Sequence, residues 1–157
     1  MLERIIGQSM RIQKDEIDQF FSRYESRFND ALSGAEFDVE QTVNSFTEHF
    51  LEASPLGVNA GKNDKNFREV ISNGWSFYRD IGVQAMNILS KQITILDELH
   101  ALVKVNWNSS FVRKDKTSGE ISFDVFYLVQ KLDGNIKIFS YITGDEQQAL
   151  KDQGLIS

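Results

Sequence analysis

The stretch LHALVKVNWNSSFVRK (residues 99–114) decides the fold. Leu99, Ala101, Val103, Val105, Trp107 and Phe111 fall on one side of a twofold alternation; His100, Lys104, Asn106 and Asn108 fall on the other. That period belongs to a half-buried β-strand. A strand this long must twist and coil, and a bulge is expected near Ser109-Ser110. Working outward, residues 84–96 predict a preceding strand. The turn DKTSG leads to a strand over 120–132, and Asp133-Gly134-Asn135 signals a tight hairpin before a strand over 136–143.

Ahead of Gly82 the period is helical. Ile17, Phe20, Phe21, Tyr24, Phe28, Ala31 and Leu32 share one wide face of a helix over Lys14–Leu32, which Gly34 ends. A second, shorter helix starts at Asp38 and carries Val39, Val43, Phe46 and Phe50 on its apolar side. LEASPLGVNAGKND, with the only proline, reads as a surface loop. Asn63 or Asp64 caps a third helix that turns Phe67, Val70, Ile71, Trp75 and Tyr78 inward and stops at Gly82. Gly74 in its middle costs about 1 kcal/mol against alanine, which predicts close approach of a neighbouring element there. Asp145, with Gln148, caps a short last helix that ends at Gly154. Helices followed by a meander make an α+β domain with helices on one sheet face.

The 157 residues suit one domain over 1–157, with residues 1–13 either a flexible arm or a helix extension. A net charge of −6 without a basic stripe argues against nucleic acid or an anionic membrane as partner. With no cysteine, thiolate ligands, thiol nucleophiles and disulfides are excluded. The opening residues lack the long apolar run of a signal or a membrane span, so cytoplasm is the expected compartment. Phe126 and Leu128 on one strand, and Phe139 and Tyr141 on the next, predict apolar patches on both sheet faces. A second cover is then needed, and a homodimer through the sheet face supplies it.

The order of elements, the opening FFSRYESRFND, the loop LEASPLG, the helix NFREVISNGWSFYRD and the ending DGNIKIFSYIT resemble the nuclear transport factor 2-like superfamily. That group includes ketosteroid isomerases, scytalone dehydratase and SnoaL-like cyclases. The resemblance spans about residues 14–143, and residues 97–155 are most similar to uncharacterised bacterial members. It implies a cystatin-like α+β roll: three N-terminal helices on a strongly curved antiparallel sheet, a short C-terminal helix and a conical pocket. It implies no particular activity, because the scaffold hosts enzymes and binding proteins alike.

The resemblance puts a catalytic Asp at the position of Ser54, which cannot serve as a base unaided. Glu52, two residues upstream, and His49, if it points into the cone, are the remaining candidate bases, with Tyr24 as the phenol donor. Solvated Glu52 and His49 and a core Tyr24 are the simpler readings of the same residues. Asp124 lies near the expected second donor, although Phe126 fits that position better by count from the hairpin. Phe20, Trp75, Tyr78 and Trp107 are candidates for an aromatic ligand wall, and the open end of the cone is expected near residues 49–57. His49 and His100 lack ligand-spaced partners, so no metal site is expected, nor any cofactor. The leading function is a domain that binds an apolar small molecule and is not a standard ketosteroid isomerase. An isomerase, dehydratase or cyclase acting on an apolar carbonyl compound is the alternative, and a dimeric protein-interaction adaptor is the third.

Overall fold

The computed structural model describes residues 11–34 and 38–157. Most of the 1–13 arm therefore lies outside the described residues. Gln13 leads into the first helix in an extended conformation, and the Ile12 N–H donates to Glu98 O at 2.8 Å.

Among the described residues, four helices and six strands follow in the order α1 (Lys14–Ser33), α2 (Val39–Val43), β1 (Phe46–Ser54), β2 (Gly57–Lys62), α3 (Lys65–Ile81), β3 (Val83–Ile95), β4 (His100–Val112), β5 (Ser118–Leu132), β6 (Asn135–Ile142) and α4 (Glu146–Asp152). The strands form one sheet in the order β2-β1-β6-β5-β4-β3. All neighbours are antiparallel except β1 and β6, which run parallel.

Local chemistry starts and stops these elements as the sequence predicts. Asp64 Oδ1 accepts the Phe67 N–H at 3.0 Å to cap α3, and Gly82, at φ +105°, ends it. A Cβ on Gly82 would also lie 2.0 Å from Val112 O. Asp133 and Gly134 both have positive φ, the requirement of a two-residue hairpin turn.

Along β4 the alternation holds without a break: Ala101, Val103, Val105, Trp107, Ser109 and Phe111 are buried against the helices. Ile17, Phe20 and Phe21 of α1 pack on this row, each such burial contributing about 1.5–3 kcal/mol. The expected bulge falls on β3, at Gln84 opposite the Ser110–Phe111 step and again at Leu89. β4 is held between two strands in continuous register with β5, so extra residues are accommodated on the outer strand.

The predicted second helix is a correction. Only Val39–Val43 is helical, and Phe46 and Phe50 lie on β1. A spacing of four keeps two side chains on one face in a helix and in a strand alike, so the periodicity could not choose. The loop reading of LEASPLGVNAGKND is likewise replaced by a hairpin, with Ser54 paired to Gly57 and Pro55-Leu56 at its tip.

Polar contacts fasten α1 across β3. The Asn29 side chain accepts from Met86 N–H and donates to Met86 O, both at 2.8 Å, and Glu25 accepts from the Ile88 N–H. These side chains satisfy backbone groups that an outer strand would otherwise offer to another chain. Lys131, 8% exposed, holds Glu16 at 2.9 Å.

The opposite sheet face carries Leu102, Phe126 and Leu128, with Leu102 paired to Leu128 and Phe126 to Ile142. Phe139 belongs to this side, its ring edge-on to His100. Tyr141 does not: it packs with Phe46 and Phe50 on the helix side.

Candidate functional site

Three helices and the inner sheet face enclose a cavity of about 240 Å³. α3 supplies Phe67, Val70, Ile71, Gly74, Trp75 and Tyr78, a row at helical spacing. Tyr24 and Phe28 come from α1, Thr42 from α2, Phe46 from β1, and Val125, Tyr127, Tyr141 and Thr143 from the far wall.

Gly74 belongs to this wall. A Cβ built there would meet nothing within 4 Å, so the expected close approach of a neighbouring element is absent. The helix thus carries a glycine costing about 1 kcal/mol, and the structural return is open cavity.

The polar groups in this apolar space are mainly phenols. Tyr24 has no hydrogen-bond partner among the described residues. Tyr127 O accepts the Trp107 indole N–H at 3.1 Å, which leaves its own O–H to donate. Tyr141 O–H donates to Glu52 Oε2 at 2.6 Å. The rings are close: Tyr24 and Tyr127 centroids are 6.3 Å apart, as are those of Tyr24 and Trp107.

Burial pushes the Tyr24 phenol up to about 12, against the opposing pull of the Arg27 charge. Burial also holds Tyr127 well above its ordinary value, reinforced by Tyr24 and opposed by the Trp107 N–H. Tyr141 is raised by burial and then by its bond to Glu52. All three phenols therefore stay protonated at neutral pH, with the Tyr141 O–H already donated to Glu52. At the edge of the site the Tyr78 O–H donates to Glu146, whose carboxyl burial pushes up.

The predicted residues separate into groups. Tyr24, Trp75 and Tyr78 are in the cavity wall; Phe20 and Trp107 pack directly behind Tyr24. Glu52 is not in the wall but is joined to it through Tyr141. His49 is 72% exposed on β1 and outside the wall, its ring 3.9 Å from Glu48. No residue of 49–57 lines the cavity, whose β1 contribution is Phe46 alone. The strand hairpin, in place of a loop, carries that segment away along the sheet.

Ser54 accepts the Leu56 N–H at 3.1 Å and closes the hairpin turn. Asp124 bonds Asn106 at 3.0 Å on the opposite sheet face, and Phe126 lies on that face too, under the Lys104 ammonium. Their neighbours Val125 and Tyr127 face inward. Tyr127 had no signal in the sequence, because Val125 to Val129 are all apolar or aromatic and such a run does not reveal its faces. Among the described residues no cluster of His, Asp or Glu is placed to hold a metal ion.

The sequence matches the family described as NTF2-like protein (DUF6841) over residues 15–146. No curated protein matches significantly. Among solved structures, similarity extends to an NTF-2 like protein of unknown function from Shewanella oneidensis MR-1, at 17% identity and TM-score 0.62, covering 85% of this chain and 100% of that one. A ketosteroid isomerase-like protein from Erwinia carotovora atroseptica is 15% identical with TM-score 0.59, covering 83% and 93%. A protein with a cystatin-like fold from Nostoc punctiforme is 18% identical with TM-score 0.53, covering 85% and 91%. At such identities the likeness concerns the fold.

Proposed function

The chain belongs to the NTF2-like protein family (DUF6841), and we propose that it is a binding domain for an apolar small molecule held in the cavity between α1, α3 and the inner sheet face. One observation carries this reading: an aromatic cavity that contains two phenol O–H groups, on Tyr24 and Tyr127, with no protein acceptor among the described residues. Each phenol keeps an O–H to donate, and an acceptor atom on a ligand lying in the cavity would take it. The Gly74 opening in α3 supports the same reading.

The test is a thermal-shift screen of small apolar compounds bearing one acceptor oxygen. A ligand at 100 times its dissociation constant stabilises by about 2.7 kcal/mol. Absence of any shift, together with unchanged Trp75 emission, would refute the reading.

A second reading is an isomerase, dehydratase or cyclase on an apolar carbonyl compound. It is favoured by the Glu52 carboxylate standing one hydrogen bond behind the cavity phenol of Tyr141. Exchange of solvent deuterium into the α-carbon of a bound ketone, abolished in Glu52→Gln, would support it; binding without exchange would leave the binding domain.

The working compartment is the cytoplasm. Among the described residues no helix is long and apolar enough to cross a membrane. The homodimer expected from the sequence would cover Leu51, Leu102, Phe126, Leu128, Phe139 and Ile142, of which Leu51 is 49% and Ile142 45% exposed in the single chain. A sedimentation mass of one chain at micromolar concentration would refute it.

A further inference from the structure

Beside the cavity, α1 carries a cation that no carboxylate among the described residues pairs with. Arg27 Nε donates to Thr42 Oγ1 at 3.1 Å and Nη2 to Ser45 Oγ at 2.7 Å. Its guanidinium carbon stands 5.9 Å from the centre of the Tyr24 ring. Tyr24 and Thr42 are both cavity-wall residues. Thr42 and Ser45 are each 4% exposed, so the guanidinium is anchored on buried hydroxyls, and its burial lowers its pKa.

Three other basic side chains folded onto this body have carboxylates, while Arg113 is held by uncharged oxygens of Gln153, Thr117 and Ser118. Lys131 meets Glu16 at 2.9 Å, Lys91 meets Asp18 at 3.3 Å, and Arg68 is paired with Glu40. Arg27 has no carboxylate within 4.0 Å among the described residues. Asp38 attracts it from beyond that distance and is committed to capping α2 through the Glu40 N–H at 2.9 Å.

Hydroxyl oxygens orient a guanidinium without neutralising it. They occupy the Nε–Nη2 edge here, so the Nη1–Nη2 edge, a pair of parallel N–H donors, has no partner among the described residues. A partly buried charge without a counter-charge is costly, and a planar fork of two N–H groups matches the two oxygens of a carboxylate.

We propose that Arg27 is the head-group anchor of the cavity and that the ligand is an amphipathic carboxylic acid. Its carboxylate takes the Nη1–Nη2 edge, and its apolar body lies among Phe46, Phe67 and Trp75. Glu52, the carboxylate joined to the wall through Tyr141, is occupied by that O–H, so it does not claim the guanidinium. This inference rests on the small-molecule reading of the cavity and names the ligand class within it.

The experiment compares 3-phenylpropanoate with its uncharged amide, which have the same apolar body, by calorimetry or tryptophan quenching. The wild-type chain should bind the acid at least about ten-fold more tightly than the amide, as a charge-assisted bidentate pair requires. In Arg27→Gln the two should bind alike; in Arg27→Lys, which keeps the charge and loses the fork, an intermediate preference should remain. The acid's advantage should also shrink as salt rises. Equal binding of acid and amide by the wild type, or a preference that survives in Arg27→Gln, would overturn the proposal while leaving the cavity reading standing. Binding of neither compound would count against the cavity reading and, with it, this inference. Should Arg27→Gln fail to fold, the wild-type ratio and the Arg27→Lys variant decide the matter.

Discussion

Replacing Gly74 by alanine tests the cavity with a single methyl group. In a helix interior glycine is about 0.8–1.0 kcal/mol less favourable than alanine, because its backbone has more freedom to lose on folding. Normally such a glycine is retained where a side chain would collide. Here a Cβ would meet nothing within 4 Å, so no steric penalty offsets the gain. Packing adds little for the same reason. Gly74→Ala should therefore stabilise the protein by about 1 kcal/mol, which raises Tm by roughly 2–4 °C for a chain of this size. In urea the midpoint should rise with the slope unchanged, since the surface exposed on unfolding is nearly the same. A lower midpoint would refute the reasoning, because it would mean the α3 wall lacks the open space assigned to it. The partner variant Gly74→Leu should keep near-wild-type stability while projecting into the cavity and abolishing ligand-induced thermal shifts.

Alkaline unfolding checks the phenols. The Tyr24 pKa lies near 12 in the fold against an ordinary value of about 10, so burial favours the protonated form. Its contribution is complete below pH 10 and is lost as pH rises from about 10 through 12; Tyr24→Phe should flatten that part of the stability curve, and an unchanged curve would contradict the assignment. Glu16→Gln leaves the Lys131 ammonium buried with a weaker partner and should cost about 1–3 kcal/mol in urea denaturation, whereas an exposed pair would cost almost nothing. Asn29→Ala strips both side-chain bonds from the Met86 backbone and should cost about 1–3 kcal/mol. Amide exchange at Met86 should then accelerate selectively. Glu146→Gln keeps an oxygen for the Tyr78 O–H and removes a carboxylate that burial disfavours, so its Tm at pH 7 should be unchanged or higher.

Most of the fold was legible because its signals are local. The stops at Gly34 and Gly82, the Asp64 cap and the Asp133-Gly134 turn each depend on residues within a few positions. The β4 alternation was equally plain, with polar and apolar residues cleanly separated. Less of the site could be read. The α3 stripe and Tyr24 carried helical spacing, but that spacing is the same for a core and for a cavity wall.

What the sequence determined by itself was the α+β class, the long antiparallel hairpins and the inward face of α3, all set by short-range periodicity and backbone preference. The tertiary structure decided the rest. Phe46 and Phe50 became strand residues because β1 pairs with both β2 and β6, a choice their spacing of four left open. Tyr127 faces the cavity and Phe126 faces away because the register of β5 with β4 says so, where the run of apolar residues was silent. Glu52 meets Tyr141 across 89 residues of chain, and Arg27 finds Thr42 and Ser45 only when α2 closes on α1. Partnerships of that kind depend on distance in space, which no local pattern encodes.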